Sequence, residues 1–334
     1  MSLSTQVLST SASIAAAILV LVSAVYAVRL TTRTSKEVEV LKVSLARESA
    51  IDEARRNYEY EARKRVYVEC EPLVLRLAES SDYAASRIIS LSDSRRWDEL
   101  RATRDTGSFW MLSKSSEVIS MAHALLEPLG LYTLLSEKVT LVDLTFDHRL
   151  SEIYTLARAA YQVHMDDYRI AAMLPTLGYD PVVVGWRQKR EMNPATYWWQ
   201  GLTRARLDPA VELCINRDAD RVVTISEFED RYLKLFDAPQ DSRGKSLGLF
   251  CNPLYNFRPE HRPVYWRMLM CQLLIYRGIS HRSRLPADVL TSPHFDFDRQ
   301  DIDSLQRSGA VEDEFLNSSL DVALRYTGTL LKHD

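Results

Sequence analysis

The longest unbroken apolar stretch lies near the N-terminus. From Ala12 to Val28 only Ser13 and Ser23 interrupt it, and as a helix at ~1.5 Å per residue it spans about 26 Å. Extending from Val7 to Leu30 gives 24 residues, enough for a hydrocarbon core of ~30 Å. The pattern predicts a single transmembrane helix over 12–30, preceded by a short extracytoplasmic tail, 1–11. Small residues near Ala24 and Ala27 mimic a signal-peptide cleavage site, but no basic residue precedes the apolar run as such a peptide requires. A buried core helix is disfavoured because neither flank is amphipathic.

Beyond Leu30 the pattern turns polar without losing helical character. The first proline is Pro72 and the first glycine Gly107. Residues 36–66 are rich in Glu, Lys, Arg, Ala and Leu, all strong helix formers. One nearly continuous helix is expected from the membrane to about residue 70, with 31–70 as a stalk projecting ~60 Å at 1.5 Å per residue. Val38, Leu41 and Leu45 fit an a/d seam, and Ile51, Ala54 and Tyr58 fit a second. Glu48 and Asp52 fall between them, so the heptad is short and broken. The stalk therefore reads either as a dimerising coiled coil or as a solvated helix packed back on its own domain.

From 71 to 334 the chain reads as an all-α or nearly all-α domain. Pro72 suits a first helical turn, followed by Leu73, Leu77, Ala84, Ile88 and Leu91 on one face. Further helices are expected over Phe109–Leu126, Asp147–Met173, Pro194–Asn216, Ser226–Phe236, Pro263–Arg277 and Glu312–Leu331. Strand-like runs occur only at Val139–Val142 and Val222–Ile225. Met268–Tyr276 is apolar but too short to span a bilayer, and predicts a buried helix. Pro- and Gly-containing loops are expected at 173–194 and 237–262.

Charge sets the orientation. All 87 charged residues lie after residue 28, and Arg29, Arg33, Lys36 and Lys42 closely follow the apolar run. The positive-inside rule then puts the N-terminus outside and the bulk in the cytoplasm, at the cell membrane. Four scattered cysteines without a CxxC pair agree with a reducing compartment. The basic residues are dispersed among acids at a net charge of −3, so no nucleic-acid partner is predicted.

Motifs for common chemistries are missing from the sequence. There is no GxGxxG, GxxxxGK[ST], GxSxG or HExxH, and no zinc-type Cys/His spacing. Residues 216–227 resemble the calcium loop of the EF-hand family. Asn216, Asp218, Asp220, Thr224 and Glu227 supply oxygens at loop positions 1, 3, 5, 9 and 12, with Val223 at position 8. The loop departs from that pattern at Arg221, where the turn calls for glycine, and at Asn216, which lacks a charge. The alternative is a strand at Val222–Ile225 followed by a helix that Ser226 caps with Glu229. A second constellation is Asp143, Asp147, His148 and Glu152, either an acid/base or metal site, or an N-cap with an ion pair. His164, Asp166 and Asp167 pose the same alternatives, and the acidic run from His294 to Asp303 reads as a solvated loop. Trp198 and Trp199, beside Tyr197 and Trp186, are candidates for core packing or a protein interface.

The expected function is that of a membrane-anchored helical scaffold, sensor or interaction protein, with a lipid bilayer, a possible stalk homodimer and a protein partner. The alternatives are a tethered enzyme using Asp147, His148 and Glu152, or a calcium-responsive module at 216–227. No other cofactor is expected.

Overall fold

The computed structural model describes residues 3–91, 116–139, 147–173, 201–237, 241–254, 257, 259, 262–284 and 313–330. Expectations for 109–115, 140–142, Asp143, Trp186, Trp198 and Trp199, and for the 294–303 run, lie outside these residues. The described chain is mostly α and divides into two units, Met1–Glu61 and Ala62–Asp334.

The first unit is helical throughout its described length. Helix α1 runs from Leu3 to Arg65, so most of the expected N-terminal tail is helical too. From Ile18 to Arg65 no side chain is buried.

The second unit takes in the last residues of α1, then a π-helical turn, Val66–Cys70, leading into α2, Glu71–Leu91. Arg65 and Glu71, flanking the turn, both keep right-handed helical backbone (φ −62, ψ −43 and φ −58, ψ −41). The cause is Pro72, the second residue of α2. Its ring cannot donate a hydrogen bond and crowds the carbonyl one turn back, and the wider turn just before it takes up that misfit. Val66 and Cys70 are buried from this turn, so the core begins where the hydrogen-bond pattern changes.

The remaining elements are α3 (Ser116–Val139), α4 (His148–Val163), α5 (Asp167–Ala172), α6 (Arg204–Glu212), β1 (Ile215–Asn216), β2 (Arg221–Val222), α7 (Ile225–Asp237), α8 (Ser242–Cys251), α9 (Pro263–Ser283) and α10 (Asp313–Leu330). Helix α9 is central, packed against α2, α4 and α10. Met268–Tyr276 is the expected buried helix, with no residue above 4% exposed, the polar Gln272 included.

Several boundaries differ from the sequence pattern. Helix α3 passes Leu126 and continues through Pro128 and Gly130 to Val139, the residue where a strand was expected. An interior proline costs ~3 kcal/mol. Burying Leu129, Leu131, Leu134 and Leu135, all fully enclosed, returns ~1.5–3 kcal/mol each and outweighs it. The helix expected over Asp147–Met173 is broken at His164–Asp166 into α4 and α5. The helix expected over Pro194–Asn216 is, within the described residues, only Arg204–Glu212, because Ile215–Asn216 pairs antiparallel with Arg221–Val222. The expected 237–262 loop contains α8, capped by Asp241, whose carboxylate accepts from the Arg243 amide at 2.8 Å. Gly244 and Gly248 disguised this helix in the sequence.

Candidate functional site

The densest set of defined polar interactions surrounds the β1–β2 hairpin. Helix α6 ends at Glu212, and the chain turns through Arg217–Asp220 with Asp220 in the left-handed region, φ 49. The Asn216 Oδ1 accepts from the Ala219 amide at 3.3 Å, an Asx-type contact that stabilises the turn. The ladder extends past β2, where the Val223 amide donates to the Cys214 carbonyl at 2.8 Å.

Four of the five side chains of the candidate calcium loop, Asn216, Asp220, Thr224 and Glu227, are engaged by groups of the chain itself. The Glu227 carboxylate receives both Arg221 guanidinium nitrogens, at 2.7 and 2.8 Å, and the Thr224 amide at 2.8 Å. Arg221, at the loop position that calls for glycine, thus supplies the positive charge from within the chain. These donors hold the Glu227 carboxyl down to about 2, the arginine contributing most. Asp220 meets Lys138 of α3 at 2.5 Å. No three His, Cys, Asp or Glu side chains among the described residues are grouped to hold a metal ion.

The helix cap also differs in register from the expected Ser226–Glu229 pair. Helix α7 starts at Ile225, and Thr224 and Glu227 form its capping box, the Glu227 amide donating back to the Thr224 hydroxyl at 3.4 Å.

Arg217 forms the hub of this region. It grips Glu212 with two nitrogens at 2.7 Å each, and reaches Glu137 of α3 with a third at 2.6 and 2.8 Å. Its guanidinium is held charged mainly by the hydrogen bond to Glu212, whose carboxyl is lowered in turn. Arg231 donates to the carbonyls of Leu213 and Ile215 at 3.0 and 2.7 Å, fixing the base of the hairpin. Two clefts meet at Arg217 and Glu212. One, of about 540 Å³, continues over Asn216, Asp218, Lys234 and Arg243. The other, of about 320 Å³, continues over Tyr132, Tyr161, Arg204 and Asp208. In the second, the Tyr161 hydroxyl donates to Asp208, and Tyr132 packs with its ring tilted against Tyr154 and Tyr161, ring centres 5.6 and 5.4 Å apart. Burial pushes the Tyr132 hydroxyl up to about 12. Both clefts present fixed charges and hydrogen-bonding groups suited to a polar partner.

The Asp147–His148–Glu152 constellation sits at a joint between helices. Asp147 is buried and caps α4, accepting from the Leu150 amide at 2.9 Å. Glu152 accepts from the buried Arg282 of α9 at 2.9 Å, and the neighbouring Arg149 donates to Glu71 of α2 at 2.6 Å. His148 is exposed on the first turn. The Asp147 cap is the expected one, whereas the ion pair of Glu152 is made with the buried Arg282 of another helix and not at the surface with His148.

His164, by contrast, is fully enclosed. Its ring lies 2.6 Å from the Gln272 amide nitrogen and tilts against Phe250 at 5.4 Å, and burial lowers it to about 4. Its backbone carbonyl accepts from the Leu202 amide at 2.7 Å. Asp166, in the same break, accepts from the Tyr326 hydroxyl of α10 at 2.8 Å. All four cysteines are free and buried, and burial raises each thiol, Cys70 to about 11.

Sequence reasoning missed Arg217, Glu137 and Arg231. Arg217 lies five residues after Glu212, a spacing with no helical meaning, and Glu137 is eighty residues distant. Comparison with family models, curated proteins and solved structures gives no match to this chain.

Proposed function

We propose that this chain is a single-pass membrane protein. In this reading α1 is the anchor, the N-terminus is outside, and the helical domain is a cytoplasmic interaction module whose polar surface includes the two clefts at Arg217. The observation that carries the reading is the bare apolar surface of α1. Nine large apolar side chains between Ile18 and Leu30 are 50–71% exposed. At ~1.5–3 kcal/mol for each fully transferred side chain, leaving them in water costs on the order of 10 kcal/mol. That is comparable with the whole stability of a domain. A bilayer removes the penalty. Among the described residues the other helix apolar enough to span, Ser116–Val139, is 78% buried over its most apolar window, so packing already accounts for its composition.

Arg29, Arg33, Lys36 and Lys42 beside the apolar run support the orientation, and the four free thiols agree with a reducing compartment. The test is an alkaline carbonate wash of membranes from cells making the full chain, followed by protease digestion of intact and opened cells. The full chain is expected to stay in the pellet, with its C-terminal part digested only after opening. Release by carbonate overturns the anchor, and digestion in intact cells overturns the orientation.

A further inference from the structure

The stalk surface of α1 carries a pattern that membrane anchoring alone does not need. Val38, Leu41 and Leu45 follow the 3-4 spacing of a coiled-coil seam, and their side chains are 50%, 60% and 55% exposed. With Val38 at position a, Glu37 falls at g of the preceding heptad and Lys42, five residues on, at e. These are the positions that face each other across a parallel, in-register pair, where each copy's Glu37 meets the other's Lys42. In an antiparallel pair, g opposes g and e opposes e, bringing like charges together. The seam ends at Glu48 and Asp52, both charged.

Three apolar positions make a seam little longer than one heptad, whereas water-soluble coiled coils sustain roughly three or more. The same register continues backwards through Thr34, Thr31, Ala27, Ala24 and Val20. All six charged residues between Val20 and Leu45 fall off this line: Arg29, Arg33, Lys36, Glu37, Glu39 and Lys42. Large side chains drive association in water, but lipid is as apolar as leucine, and helices in a bilayer associate where small residues allow close approach. The change from Ala and Thr to Val and Leu along one line follows that change of solvent. The threonine hydroxyls do not oppose it: Thr31 donates to the Ala27 carbonyl at 2.8 Å and Thr34 to that of Leu30 at 2.9 Å, within their own helix.

We propose that α1 pairs with α1 of a second copy of this chain, parallel and in register, through Val38, Leu41 and Leu45, with Glu37 and Lys42 of opposite copies facing and the seam continuing into the bilayer. This rests on the membrane-anchor reading. Anchoring supplies the shared orientation and the local concentration that so short an aqueous seam lacks.

The test is oxidative disulfide crosslinking of the full chain in membranes, with single substitutions Ala24→Cys, Ala27→Cys, Val38→Cys, Leu41→Cys and Leu45→Cys on the line, and Val40→Cys and Val43→Cys off it. The native thiols are buried and leave a low background. Dimer yields are expected to be high on the line and at background off it. Glu37→Lys in the Leu41→Cys chain is expected to lower the yield about four-fold, the scale of two exposed ion pairs, and adding Lys42→Glu to restore it. A flat profile, or one peaking at Val40 and Val43, overturns the pairing. Crosslinks at Val38 and Leu41 without any at Ala24 and Ala27 overturn the continuous seam. Carbonate pelleting of the same samples separates the two ideas, since a chain that pellets but does not crosslink along the line keeps its anchor and loses its dimer.

Discussion

His164 shows how one side chain can tie stability to pH. Buried against Phe250 and Gln272, it is lowered from its ordinary 6.5 to about 4. The folded protein keeps the ring neutral, while the unfolded chain takes up a proton below its ordinary value. This contribution is therefore fully present above about 6.5 and is lost as pH falls towards 4, by up to roughly 3 kcal/mol. Substituting His164→Asn keeps an amide near Gln272 and removes the titration. Melting temperatures of the two proteins between pH 7 and pH 4 are expected to fall more steeply for the natural sequence. Parallel curves would show that the ring titrates in the folded state as it does in the unfolded one. Glu227 illustrates a different residue-scale economy, since one carboxylate caps α7 and neutralises Arg221. Its identity was readable as a loop glutamate, but its partner lies six residues back across the turn, at a distance only the hairpin closes.

Among the described elements, α3 is one whose course its own sequence opposes. Pro128 and Gly130 both argue against a helix there, yet α3 presents Gly130 directly to the hairpin. A Cβ on that glycine would lie 3.4 Å from Val222 Cγ1 and 3.5 Å from Cys214 Cβ and Ile215 Cγ1. That is ordinary contact, so Gly130→Ala is expected to be tolerated, while Gly130→Leu forces the hairpin outward and costs ~1–3 kcal/mol by overpacking. Chemical denaturation of the two variants checks this, and equal midpoints would mean that α3 and the hairpin yield to one another. The broken helix at His164–Asp166 belongs to the same scale. Nothing local stops α4, and the turn forms where His164, Asp166 and Leu202 find partners on other segments.

At the scale of the whole molecule, most of the large apolar side chains exposed among the described residues precede Val66, and the buried ones follow from it. Among residues 18–65 no side chain is buried, and the core begins at Val66. Removing residues 1–35 is therefore expected to leave the melting temperature of the helical domain unchanged and, on the anchor reading proposed above, to move the protein from membranes to the soluble fraction. A lowered melting temperature overturns this expectation.

The amino-acid pattern by itself determined the helical class, the continuous N-terminal helix, the buried character of Met268–Tyr276 and the Asp147 cap. These are local properties, written in periodicity, in the absence of helix breakers and in short capping signals that act over a few residues. Tertiary structure decided the course of α3 through Pro128 and Gly130, the break at His164, the helix hidden at Ser242–Cys251, the Thr224 cap and the ion cluster about Arg217. In each case burial energies and charges brought together from distant segments exceeded the ~1–3 kcal/mol of local preference opposing them.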